Sequence, residues 1–89
     1  MRNYELTLIL SPEENPDVDN ITELITQKGG SVDRVEEWGK KRLSYPIKHF
    51  SQANYIYTEI KMEPDLLDLL HKDLRTRSDI LRYLVVKKE

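Results

Sequence analysis

The period of the apolar residues switches between two and roughly 3.6 along this chain, and the order of the switches leaves few folds open. Tyr4, Leu6, Leu8 and Leu10 alternate with Asn3, Glu5 and Thr7, the mark of a half-buried strand. Pro12 and Pro16 end it, because proline cannot donate to a ladder. Val18, Ile21, Leu24 and Ile25 follow at helical spacing, with Gly29-Gly30 as the stop. A second extended segment runs from Ser31 to about Ile47, with Gly39 marking a bend or bulge. A loop near His49 to Gln52 leads to a third strand, Asn54 to Met62. There Ile56, Thr58, Ile60 and Met62 point one way and Tyr55, Tyr57, Glu59 and Lys61 the other. Pro64 suits the first position of a second helix, whose stripe is Leu66, Leu67, Leu70 and Leu74. Ser78-Asp79 breaks that helix, and Ile80 to Lys87 reads as a last strand.

The order βαββαβ predicts an α+β, ferredoxin-like two-layer sandwich: a four-stranded antiparallel sheet with both helices on one face. Right-handed crossovers place strands one and three centrally and strands two and four at the edges. Pro46 agrees, since proline is tolerated on an edge strand. The other sheet face stays open. With 89 residues and no linker, repeat or low-complexity tract, the expectation is one domain over residues 1–89.

Charge then asks what such a domain binds. The formal net charge is −2, against the basic balance of a self-sufficient nucleic-acid binder. The distribution is uneven, however. Five acids and no bases lie between Glu13 and Glu23, and four bases without an acid between Lys40 and Lys48. From His71 onward six Lys or Arg stand against three acids. Such stretches are either solvated faces or local RNA patches. The absence of cysteine excludes disulfides and thiolate metal sites. No apolar run approaches the roughly 18 residues of a membrane span, so no membrane association, a cytoplasmic location and no export are expected.

Enzyme chemistry has no foothold. His49 and His71 stand apart, with no His, Asp or Glu partners at metal-ligand spacing, so no metal and no cofactor are expected. Glu36 and Glu37 are neighbours in a strand and point to opposite faces, which prevents them from sharing a proton. Acylphosphatases share the predicted fold, but acidic Pro12 to Asp17 replaces their glycine-rich loop and would repel a phosphate. Tyr55 and Tyr57 sit where RNA-recognition motifs carry base-stacking aromatics, yet the run Asn54-Tyr55-Ile56-Tyr57-Thr58-Glu59 lacks that motif. Tyrosine also simply suits a pleated, half-exposed surface.

Three blocks carry a resemblance: Met1-Arg2-Asn3-Tyr4-Glu5, the stretch from Val35 through Trp38-Gly39-Lys40-Lys41-Arg42-Leu43-Ser44-Tyr45-Pro46 to Ile47, and Tyr83-Leu84-Val85-Val86-Lys87. Together they resemble the bacterial small-subunit ribosomal protein S six family over nearly the whole chain. The resemblance implies a ribosomal, ribonucleoprotein role: binding the central domain of small-subunit ribosomal RNA together with a basic partner, ribosomal protein S eighteen. A partner that supplies positive charge reconciles the weak net charge with RNA binding. By position, Arg2, Tyr4, Arg77, Arg82 and Lys87 become candidate RNA contacts, although Tyr4 equally fits the core register of its strand. Trp38, Lys40 and Arg42 would face the protein partner from the edge strand, with Leu43, Tyr45 and Ile47 toward the core, provided any bulge lies outside Trp38 to Ile47. Unpaired edges also admit weak self-pairing into a homodimer in isolation, with Lys40 and Lys41 as gatekeepers. Family members often carry a tail of variable length after strand four, whereas this chain stops at Glu89. The competing reading is a regulatory module that assembles through its sheet edge without RNA.

Overall fold

The computed structural model describes residues 2–13 and 18–88. Its elements run β1 (Arg2–Leu10), α1 (Val18–Gln27), β2 (Ser31–Ile47), β3 (Phe50–Met62), α2 (Pro64–Thr76) and β4 (Ile80–Lys88). The sheet order is β2-β3-β1-β4 with every neighbouring pair antiparallel. This is the ferredoxin-like sandwich expected from the periods, with the first and third strands in the centre. Of the acidic segment after β1, residues 14–17 lie outside the described residues.

One sheet face carries the core. Tyr4, Leu6, Leu8 and Leu10 of β1 and Ile56, Ile60 and Met62 of β3 pack against Ile21 and Ile25 of α1 and Leu67, Leu70 and Leu74 of α2. Cross-strand register explains the sharing: Leu6 stands opposite Thr58, Leu8 opposite Ile56, and paired residues point to the same face. Thr58 is, with Asn54, one of two buried polar residues, and its hydroxyl donates to the Leu6 carbonyl at 3.1 Å. That bond removes most of the cost of burying it.

The stop after α1 is a Schellman arrangement. Gly30 N–H donates to the Ile25 carbonyl and Gly29 N–H to the Thr26 carbonyl, both at 3.0 Å. Gly29 has φ +87, which only glycine adopts without steric cost. The turn feeds directly into β2.

β2 carries more irregularity than the single bend expected at Gly39. Its pairing with β3 slips by one residue between Val32 and Arg34 and again between Glu37 and Gly39, where Gly39 has φ 77. The bend assigned to Gly39 is therefore present, and the extra residue is Trp38. A larger slip follows: four residues, Leu43 to Pro46, stand against the single Ser51 before Ile47 pairs with Phe50. Instead of a loop near His49 to Gln52, a two-residue turn of Lys48 (φ 47) and His49 (φ 74) closes the hairpin. Positive φ at both central residues is the type I′ signature, whose twist matches the flanking strands.

Candidate nucleic-acid interface

The slip at Trp38 corrects the alternation expected along β2. With the bulge inside the stretch, Trp38 lies on the open face, stacked on Tyr57 with centroids 5.3 Å apart and planes 8° from parallel. Lys41 sits 5.3 Å over the Trp38 ring. Lys40 and Arg42 pair with Asn54 and Gln52, in register with the helix-covered side. An inserted residue reverses every side chain after it, so the three candidates do not form one row. Leu43, Tyr45 and Ile47 likewise do not join the core. They meet Ile9, Tyr55 and Arg82 around a hollow of about 200 Å³ on the open face. The surplus residues give the hairpin the length to reach β4, where an Arg82 Nη1–H donates to the Tyr45 hydroxyl. The guanidinium lies 5.7 Å from the Tyr45 ring centroid.

Beside this strap the open face carries a charged network. Trp38 Nε1–H donates to Glu36 at 3.1 Å, and Arg34 bridges Glu36 at 2.7 Å and Glu59 at 3.8 Å. Lys88 donates to Glu59. That hydrogen bond, opposed by desolvation and joined by the charges of Lys88 and Arg34, holds the Glu59 carboxyl below its ordinary range. The Tyr57 hydroxyl is pushed up by partial burial and by the carboxylates of Glu5 and Glu59, and it hydrogen-bonds Glu5. Tyr57 thus has its ring under Trp38 and its hydroxyl on Glu5, which closes one of the two aromatic platforms considered for bases. Next to the network, Leu84 (60% exposed) and Val86 (46% exposed) project from β4 with no covering layer.

The five candidate RNA residues do not converge. Tyr4 is 7% exposed and belongs to the core; of its two expected places the structure takes the buried one. Arg2, opposite Met62, and Lys87, opposite Tyr4, are exposed at one end of the sheet. Arg77 and Arg82 lie at the other end, where five residues of β4 put Arg82 roughly 17 Å from Lys87. The two arginines differ in state. Arg77 donates Nε–H and Nη2–H to Asp79, each at 3.2 Å, and Nη1–H to Asn20 of α1 at 2.9 Å. It ties α1 to the turn before β4. Arg82 has a neutral partner and, among the described residues, forms no ion pair with a carboxylate. Two bases outside the five candidates, Lys48 and Arg75, border a hollow together with Arg82. They are distant in sequence, and only the folded hairpin brings them together.

Among the described residues no group of His, Asp or Glu is disposed to hold a metal, and no helix is long and apolar enough to cross a membrane.

The family model described as Ribosomal protein S6 matches residues 3–87. The chain belongs to this family. It is 35% identical to the small ribosomal subunit protein bS6 of Moorella thermoacetica, over 100% of this chain and 96% of that one. To the bS6 protein of Ruthia magnifica it is 38% identical, over 100% and 82% of the two chains. A crystal structure of 30S ribosomal protein S6 from Thermotoga maritima superposes with a TM-score of 0.83 at 24% identity, covering 98% of this chain and 87% of that one. An uncharacterized protein from the same organism shares the fold, with a TM-score of 0.61 at 20% identity over 99% of this chain and 98% of that one. Membership makes this chain a structural ribosomal protein of the bacterial cytoplasm and not an enzyme. The strand-two block around Trp38 thus had the right family, although its side chains are arranged differently from the simple alternation.

Proposed function

We propose that the chain, as one domain over residues 1–89, is a structural constituent of the small ribosomal subunit that binds the central domain of the subunit's RNA jointly with ribosomal protein S eighteen. The observation that carries this reading is the separation of the uncovered sheet face from the bases. An uncovered apolar strip, Leu84 and Val86, adjoins the carboxylates Glu5, Glu36 and Glu59, while bases gather at two separate ends. A basic protein suits the strip and its acids, and RNA phosphates suit the ends.

Magnitudes favour joint binding. Each phosphate neutralised contributes a salt slope of only about 0.7–0.9, and two small basic groups neutralise few. The partner supplies the remaining charge. Arg2, Arg82 and Lys87 are the proposed phosphate contacts, and the outer edge of β2 with Trp38, Lys40 and Arg42 a further partner contact. Without the partner, the same edge supports a weak homodimer, which sedimentation at rising concentration detects.

The test is filter binding of a central-domain RNA transcript to this chain with and without the partner, at several salt concentrations. Binding that tightens by about tenfold or more, roughly 1.4 kcal/mol, with the partner present supports joint recognition. Equal affinity in both arms overturns it.

A further inference from the structure

The tip of the β2–β3 hairpin, the last turn of α2 and the start of β4 meet around a hollow of about 270 Å³. Three cations border it: Lys48 from the turn, Arg75 from the helix and Arg82 from the strand. No acid lines it. Among the described residues, no carboxylate forms an ion pair with any of the three; Arg82 leans on the neutral Tyr45. Arg77, two residues from Arg75, is by contrast matched by Asp79.

We propose that this hollow is a cradle for backbone phosphate of RNA, with Lys48, Arg75 and Arg82 as its ligands. The inference rests on the RNA-binding reading above and adds Lys48 and Arg75 to Arg82 as one phosphate site. Like charges gathered around one concavity repel one another, and an anion bound there reverses the sign of that interaction. The C-terminus of α2 opposes an anion with about half an elementary charge, roughly a sixth of three full positive charges, so the cations prevail. The backbone adds a second observation. Lys48 and His49 hold φ of 47 and 74, a region that side chains other than glycine rarely adopt. That turn places Lys48 at the rim of the hollow. The hollow is also roomier than a lone phosphate needs, which suits a phosphodiester with its ribose.

The proposal is tested with Lys48→Gln, Arg75→Gln and Arg82→Gln, singly and together, against a central-domain transcript in the presence of the partner protein. Arg77→Gln serves as a neighbouring control, and a thermal melt checks each fold. In the triple variant, affinity falls by about tenfold or more, and the slope of log K on log salt becomes shallower by roughly 0.7–0.9 for each phosphate released. The Lys48→Gln plus Arg75→Gln pair, which leaves the Arg82–Tyr45 contact in place, shows the same direction and carries the test if the triple variant melts. Wild-type slope and affinity in these variants, with wild-type protein binding normally, overturn the cradle and leave the RNA-binding reading standing. Absence of RNA binding by the wild-type protein with its partner overturns the reading and the cradle together.

Discussion

Replacing Arg77 with alanine separates two roles that a lone arginine beside a strand start can have. The structure engages its guanidinium three times, twice with Asp79 and once across to Asn20, and its side chain is 26% exposed. A partly exposed ion pair of this kind contributes roughly 0.2–1 kcal/mol after solvent screening. The bond to Asn20 adds about 1 kcal/mol, and it is the contact that ties α1 to the far end of the chain. The expected loss is therefore about 1–2 kcal/mol. For a domain of this size each kcal/mol moves the melting midpoint by about 4–8 °C, so the midpoint falls by roughly 5–15 °C. Thermal and urea denaturation read the loss directly. Asp79→Ala reproduces part of it, and the double variant loses less than the sum of the two, because the residues share one interaction. Filter binding of the folded Arg77→Ala protein to RNA with its partner keeps the wild-type salt slope. An unchanged midpoint combined with a slope shallower by about 0.7–0.9 would refute the reasoning and return Arg77 to the phosphate contacts.

Two further outcomes follow from the same geometry. His49→Gly relieves a side chain at φ 74; strain of about 1–2 kcal/mol less a glycine entropy cost of about 0.5–1 leaves a net stabilisation near 0.5–1 kcal/mol, visible as a higher urea midpoint. The Glu59 carboxyl is held low by Lys88, so its contribution is present above its unfolded value of about 4.3 and is lost as pH falls through the lower folded value. A stability–pH curve of Glu59→Gln is accordingly flatter below about pH 4.3 than that of the wild-type protein, and parallel curves there would contradict the assignment.

Sheet faces and helix faces were legible because each depends on a local period. Leu6 and Leu8 share a side with Ile56 and Ile60 whatever else the chain does, and Ile21 and Ile25 lie one helical turn apart. The glycine stop at Gly29-Gly30 and the bend at Gly39 were legible for a similar reason, since positive φ is chiefly a glycine property. The loop placed at His49 to Gln52 was not legible: a Lys-His turn with both φ positive carries none of the Asn-Gly signal that announces a type I′ hairpin.

The sequence by itself determined the order βαββαβ, the two faces of the sheet and the family. Tertiary structure decided which charges are free. Arg77 and Arg82 look alike along the chain, yet Asp79 and Asn20 occupy one while the other rests on a tyrosine 37 residues away. Periodicity follows from backbone geometry over a few residues, whereas charge compensation depends on which groups come within about 4 Å of one another through space. Two slips in β2 set that proximity here: one turns Trp38 onto Tyr57, the other lends the hairpin enough chain to bring Tyr45 and Lys48 to β4.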